Sequence, residues 1–295
     1  MDKLSHIQAF IEIAETANFA EAARRLNLAP SVISKRIKDL EDHLRVRLLH
    51  RSTRKVQLTD AGYAYAEEMR RILSDMGDAE ESLRFAHDNP VGTLRLSAPV
   101  SFGQRFLGAA IAGYVAQYPD VRIDLHLTDL MVDVQSGVYD LAIGIGDMPQ
   151  ENLITRKIAD SRRVVVATPE YLRKHATPQK PQDLLHHNCL SYSHLFEGKR
   201  WPFRIGGKQH LQPVQGNLTA NNGMLLLDAV LSGCGVALLP TFITGTHVLD
   251  GTLKIVLEEF EDEPMRIQAA YPPQRKLSAR TRTFIDYLVK YFQTG

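Results

Sequence analysis

The sequence predicts an α/β chain in two unequal parts: a small helical module with a β-wing and a long helix, then a larger domain of alternating strands and helices. Three observations carry this. Over the first fifty residues, apolar positions recur at helical spacing, punctuated by Asn27 and Pro30. From Asp60 to about Ala86 there is no proline, and apolar residues step by four and three. From "DNPVGTLRLSA" onward, alternating strands and helical stretches take over. With 295 residues the chain has room for two or three cored domains, and 44% hydrophobic with 23% charged residues is a globular composition.

Leu4, Ile7, Phe10, Ile11 and Ala14 give one face of a first helix. "ANFAEAARRLN" supplies a short second helix whose inner face, Ala22, Ala23 and Leu26, is small enough for another helix to cross closely. Asn27 falls where a sharp turn needs a left-handed residue, and Pro30 opens a third helix, where its missing N–H costs nothing. In that third helix Ile33, Ile37, Leu40 and Leu44 form an apolar stripe, while Ser31, Ser34, Lys35 and Lys38 share another face. Such a helix is either an ordinary amphipathic one with a solvated front or the groove helix of a helix-turn-helix. In the second case those four residues meet base edges and phosphates. "VRLLHRSTRKVQLT" reads as a small β-wing, with Arg51, Thr53, Arg54 and Lys55 about its turn, set for phosphates or a minor groove.

Charge supports the groove. Residues 1–59 carry 11 Lys/Arg against 7 Asp/Glu, and eight basic side chains fall between 35 and 55 against three acidic ones. Residues 60–88 carry 3 against 8, so the long helix is not itself a DNA surface. Its seam of Tyr65, Met69, Ile72, Met76, Ala79, Leu83 and Ala86 follows a heptad over about three repeats, the pattern of a helix that pairs with another helix. Packing onto the chain's own domains is the alternative. A dimer would present two groove helices to two half-sites of an interrupted inverted repeat in double-stranded DNA.

Strands are expected at "TLRLS", "VRIDLHL", "DLAIGIG", "RRVVVAT" and "GVALL", and helices at "QRFLGAAIAGYVAQYP", "NGMLLLDAVLSG" and "SARTRTFIDYLVKYFQ". Their alternation implies a mostly parallel sheet.

The stretch "NFAEAARRLNLAPSVISKRIKDLEDHLRVRLLHRSTRKVQLTDAG" resembles the winged helix-turn-helix of LysR-type bacterial transcriptional regulators, and the resemblance continues through the long linker helix. Two residues depart from the family pattern. Ala29 stands where a capping Ser is usual, which weakens the helix start or shifts it to Ser31; Arg45 stands where a Gly usually ends the helix. The remainder is similar to the family's effector-binding part, which itself resembles a periplasmic solute-binding protein. "YPDVRIDLHLTD", "VVVATPEYL", "HHNCLSY" and "LSGCGVALLP" resemble one subgroup in particular.

The resemblance implies a DNA-binding domain over 1–59, a linker and dimerisation helix over 60–88, and a two-lobed effector domain over 89–295. Lobe I would comprise 89–161 with 267–295, and lobe II 162–266. Effector-binding positions would be Ser101, Phe102, Gly103, Thr128, Gly144, Ile145, Ser193, Asn221 and Asn222, holding a small molecule of unknown identity between the lobes. Gly144 departs from the Arg common in the subgroup, which weakens the case for a simple carboxylate unless Arg162, Arg163 or Arg204 compensates. Self-association to a dimer and then a tetramer is implied, with RNA polymerase as a partner if the protein activates.

No catalytic motif is present: there is no G-x-S-x-G elbow, P-loop or H-E-x-x-H, and the glycine pairs at 144–146 and 233–235 lack the third glycine of a dinucleotide fingerprint. His186, His187 and His194 are not at zinc spacing, so neither a metal nor a cofactor is expected. Cys189 and Cys234 have apolar neighbours and read as buried free thiols in a reducing cytoplasm. No apolar run reaches membrane-spanning length, and "MDKLSHIQAF" does not read as an export signal. A solute-transport component would account only for the last two hundred residues, and a small-molecule enzyme would leave the first ninety unexplained.

Overall fold

The computed structural model describes residues 2–51, 56–84, 90–148, 152–193, 199–273 and 277–294. The chain divides into two units, Met1–His87 and Asp88–Gly295.

In the first unit, α1 (Lys3–Thr16), α2 (Phe19–Arg25) and α3 (Pro30–Leu44) precede a two-stranded wing, β1 (Leu49–Arg51) and β2 (Val56–Leu58), and a long α4 (Asp60–Arg84). Asn18 caps α2 by accepting the N–H groups of Ala20 and Glu21 at 2.8 and 3.1 Å. Asn27 takes a left-handed φ of 54°, and the Leu28 N–H reaches back to the Ala23 carbonyl at 2.9 Å, which makes the tight turn. Ala22 and Ala23 are buried where α2 packs against its neighbours, in one cluster with Phe10, Ile13, Ile33 and Leu40. Leu49 pairs with Leu58 and Arg51 with Val56 in the antiparallel wing.

Thr59 joins wing to helix: its Oγ1 donates to the Arg47 carbonyl at 2.7 Å and accepts the Gly62 N–H at 2.9 Å. Position 62 must be glycine because a Cβ there would stand 2.1 Å from the Leu48 carbonyl oxygen.

The second unit holds two five-stranded sheets. The first, in spatial order β4-β3-β5-β14-β6, comprises β3 (Gly92–Ala98), β4 (Val121–Leu127), β5 (Leu141–Ile145), β6 (Ile154–Ser161) and β14 (Met265–Tyr271). Between β3 and β4 run α5 (Val100–Phe102), a π-helical turn (Gly103–Leu107) and α6 (Gly108–Gln117). Leu96, Leu107, Tyr114, Phe284 and Leu288 pack that helical run and the terminal α10 (Ala279–Thr294) into the first sheet's core.

The second sheet, in spatial order β11-β8-β12-β7-β13, comprises β7 (Arg163–Ala167), β8 (Cys189–Tyr192), β11 (Thr219–Ala220), β12 (Val236–Pro240) and β13 (Lys254–Val256). Strand alternation sorts its faces. Val164 and Val166 join Leu226, Leu227, Val230 and Ile243 of α8 (Gly223–Leu231) and α9 (Thr241–Leu249). Val165 and Ala167 face Leu172 of α7 (Pro169–His175) and Trp201 and Phe203 of a separate hairpin, β9 (Arg200–Ile205) with β10 (Lys208–Pro213).

Both sheets are mixed, which corrects the expectation of mostly parallel strands. β3 is parallel to β4 and β5, but β14 is antiparallel to β5 and β6. Likewise β8 is parallel to β11 and β12, while β7 is antiparallel to β12 and β13. The reason is connectivity. A parallel neighbour needs a crossover on its own sheet, whereas β7 and β14 enter directly from the other sheet. Cys189 is buried as expected but Cys234 is exposed, because it lies in the turn that follows α8.

Candidate DNA-binding face and ligand cleft

The α3 helix is divided as its sequence requires. Ile33, Ile37 and Leu40 are buried, Leu44 is half-buried, and Ser31, Ser34, Lys35 and Lys38 are all exposed. Ala29 is the N-cap without a side-chain hydrogen bond, and Ser31 lies inside the helix rather than capping it. Arg45 ends the helix in the left-handed conformation, φ 56° and ψ 30°, that glycine would adopt without strain. Thr53 and Arg54 lie outside the described residues, as does the side chain of Arg51.

Sequence reading missed Glu41. Its carboxylate, 3% exposed, accepts the N–H groups of Leu48 and Leu49 at 2.9 and 3.1 Å and pairs with Arg47 at 3.0 Å. A buried acid on the flank of the apolar stripe thereby fixes the wing against α3. The only signal in the sequence is a charge beside Leu40, where a solvated residue is the default.

The α4 seam divides. Tyr65 and Met69 pack into the head's own cluster, Tyr65 against Phe10 with ring centroids 5.6 Å apart. Ile72 and Met76 remain 46% and 41% exposed. The Leu83 side chain lies outside the described residues. The first part of the seam thus serves intramolecular packing, because the helix stays against the head as far as Leu73, in its fourth turn.

In the second unit a cavity of about 420 Å³ is lined from both sheets. Of the expected positions, Ser101, Phe102, Thr128, Gly144 and Ile145 line it. Four others do not. Gly103 is buried against Leu127, whose Cδ2 would be 2.2 Å from an added Cβ. Asn222 is spent as the α8 N-cap, accepting from the Met224 and Leu225 N–H groups. Ser193 and Asn221 are exposed in turns beside it.

Much of the remaining wall was not anticipated, including Asp129, Leu130, Met131, Asp147, Met148, Tyr192, Phe242 and Ile243. Phe242 packs edge-on against Phe102 at 5.6 Å, and Arg105 donates to Thr246 Oγ1 at 2.7 Å, so α9 is tied to the helix that follows β3.

Electrostatics in the cavity are uneven. Asp129 Oδ1 accepts the Val100 N–H at 3.0 Å, and the Tyr192 hydroxyl donates to the same carboxylate. Burial, then the Asp129 charge, hold the Tyr192 phenol well above its ordinary range. Arg163 is the cationic side chain of the lining, set 3.7 Å from Asp262; burial lowers its pKa, and Asp262 and Asp147 oppose that shift. Arg162 is held outside the cavity by Glu258 and Glu261, each at 2.7 Å, and Arg204 by Glu263 at 2.5 Å. Among the described residues no cluster of His, Cys, Asp and Glu could hold a metal. Nor is any described helix long and apolar enough to cross a membrane.

A helix-turn-helix with an exposed cationic helix, followed by a two-sheet unit around a ligand-sized cavity, defines a DNA-binding protein that also senses a small molecule. The family profile "Bacterial regulatory helix-turn-helix protein, lysR family" matches residues 4–63, and "LysR substrate binding domain" matches 87–293. The chain belongs to the LysR family of transcriptional regulators, which are not enzymes.

It is 35% identical over 278 residues to an HTH-type transcriptional regulator of Haemophilus influenzae, covering 94% of this chain and 96% of that one. It is 33% identical to DmlR of Escherichia coli, covering 98% and 94%. The solved structure of CrgA from Neisseria meningitidis aligns over 98% of both chains at 30% identity with a TM-score of 0.63. Full-length AphB, a virulence activator of Vibrio cholerae, aligns over 98% and 99% at 25% identity and 0.61.

Proposed function

We propose that α3 and the wing bind an interrupted inverted repeat upstream of the regulated gene, under control of an effector seated in the cavity between the two sheets. The observation that supports this best is the exposed row Ser31, Ser34, Lys35 and Lys38 on a helix whose opposite face is buried. Lys35 and Lys38 take phosphates or guanine, and the two serines read base edges. Arg51, Thr53 and Arg54 are assigned to the backbone alongside. Residues 60–88 form the dimer contact through the exposed Ile72 and Met76 with Leu83, and further contacts build a tetramer. Lobe I is 89–161 with 267–295 and lobe II 162–266, with the effector on Ser101, Phe102, Thr128, Gly144 and Ile145. The protein works in the cytoplasm, and it engages RNA polymerase if it activates. The ligand must bind two arrangements of the lobes unequally, since only a differential affinity shifts an equilibrium.

Fluorescence anisotropy on the DNA upstream of the protein's own gene, against scrambled DNA at two salt concentrations, tests the reading. Preference that survives the higher salt is expected. Absence of binding to either fragment at low salt would overturn the assignment of α3.

A further inference from the structure

The cavity carries a charge pattern that its resemblance-based reading does not predict. Two carboxylates line it, Asp129 and Asp147, and one cation, Arg163. Asp262, only 9% exposed, lies 3.7 Å from the Arg163 guanidinium and also accepts the Gln209 amide at 2.9 Å, so the cation faces an acid of the chain's own. Elsewhere in the cavity, two donors that an incoming anion could use are engaged by a built-in anion. The Val100 N–H and the Tyr192 hydroxyl both donate to Asp129. Over Gly144, the Met148 thioether lies within 2.3 Å of where a Cβ would stand, so apolar sulfur covers that floor.

Apart from the hydroxyls of Ser97, Ser101 and Thr128, the rest of the wall is mostly apolar and half open: Leu130 and Met131 are 66% and 57% exposed, and Ile243 is buried. Like charges across a partly desolvated site repel strongly, and an unpaired buried carboxylate costs more than a neutral group. An ionised carboxylate retains acceptor capacity after one or two hydrogen bonds, so Asp129 and Asp147 can still receive donors.

We propose that the cavity selects an apolar molecule whose polar end is a hydrogen-bond donor, an amine foremost, and rejects simple carboxylates. This inference rests on the reading of the cavity as the effector site. Asp147 is exposed, which makes it the substitution of choice. Asp129 supports the chain at Val100, and its removal risks the fold.

The test is calorimetric titration of the full-length protein at neutral pH with three molecules of one size: phenethylamine, phenylacetamide and phenylacetate. The amine is expected to bind about tenfold tighter than the carboxylate, with the amide between. Asp147→Asn should narrow the gap, and Gly144→Arg with Met148→Ala should reverse the order. Phenylacetate binding as tightly as the amine, an unaltered order in both variants, or no binding of amine and amide would each overturn the inference. DNA affinity measured in parallel separates the two readings. Carboxylate binding that shifts DNA affinity would remove the charge preference and leave the effector site standing. Amine binding that leaves DNA affinity unchanged would uphold the preference and count against control of the head by the cavity.

Discussion

Glu41 accepts two backbone N–H groups at the foot of the wing while almost wholly buried. Glu41→Ala strands those donors, at a cost of about 3 kcal/mol, and thermal melting should register the loss. Glu41→Gln keeps one acceptor and is expected to fall between the two. His187 behaves in the opposite electrostatic sense. It is 7% exposed, its Nδ1 lies 3.4 Å from the Tyr171 hydroxyl, and burial, with His175 and His186 nearby, lowers its pKa despite Asp183. The unfolded chain therefore binds a proton that the folded chain refuses, so stability is full above the ordinary value of 6.5 and falls as pH drops below it. Melting temperature followed from neutral to mildly acid pH should decline, and His187→Gln should flatten that decline. Burial also pushes the Cys189 thiol up to about 12, so Cys234 is expected to react first with an alkylating reagent at neutral pH.

At the scale of elements, α3 is a helix held by its packing rather than its ends. Ala29 supplies no cap and Arg45 takes a left-handed conformation. Ala29→Ser and Arg45→Gly are each expected to stabilise the first unit by about 1 kcal/mol, read from denaturant midpoints. Both positions were visible in the sequence as departures from the pattern of the family it resembles, which has a capping Ser at the one and a Gly at the other. So were the strands rich in Val, Leu and Ile, and β4 falls on "VRIDLHL". Helix α9, "TFITGTHVL", was not: three threonines, a glycine and β-branched neighbours carry little helix propensity, and burial of Ile243 with the Phe242–Phe102 contact supplies what the local sequence lacks. The hairpin β9–β10 had a readable signal that went unused, since Gly206 and Gly207 both have positive φ at its two-residue turn.

For the whole molecule, the DNA-binding assignment makes a quantitative demand. Lys38→Ala should weaken binding to all sequences and lower the salt slope by about one unit, while Ser34→Ala should change sequence preference and leave the slope alone. An unaltered preference in Ser34→Ala removes that residue from the reading set. Of the cavity, the sequence disclosed Ser101, Phe102, Thr128, Gly144 and Ile145, where resemblance points to definite positions. Asp129 and Tyr192 escaped because they are distant in sequence from each other: Tyr192 meets Asp129 only when the second sheet stands beside the first. Spacing rules describe neighbours on one element, and a wall shared by two sheets has none.

The position of β14 carries a consequence for biosynthesis. This strand lies between β5 and β6, yet it is made after the whole second sheet, and α10, which completes the core, is made last. While the ribosome is still translating, the nascent first sheet has two open edges and an exposed apolar face, although the head and the second sheet already have all their strands. A message cut short before Met265 would thus yield a chain with a complete DNA-binding head and an unfinished sensor, a product that quality-control proteases would recognise by that unfilled slot.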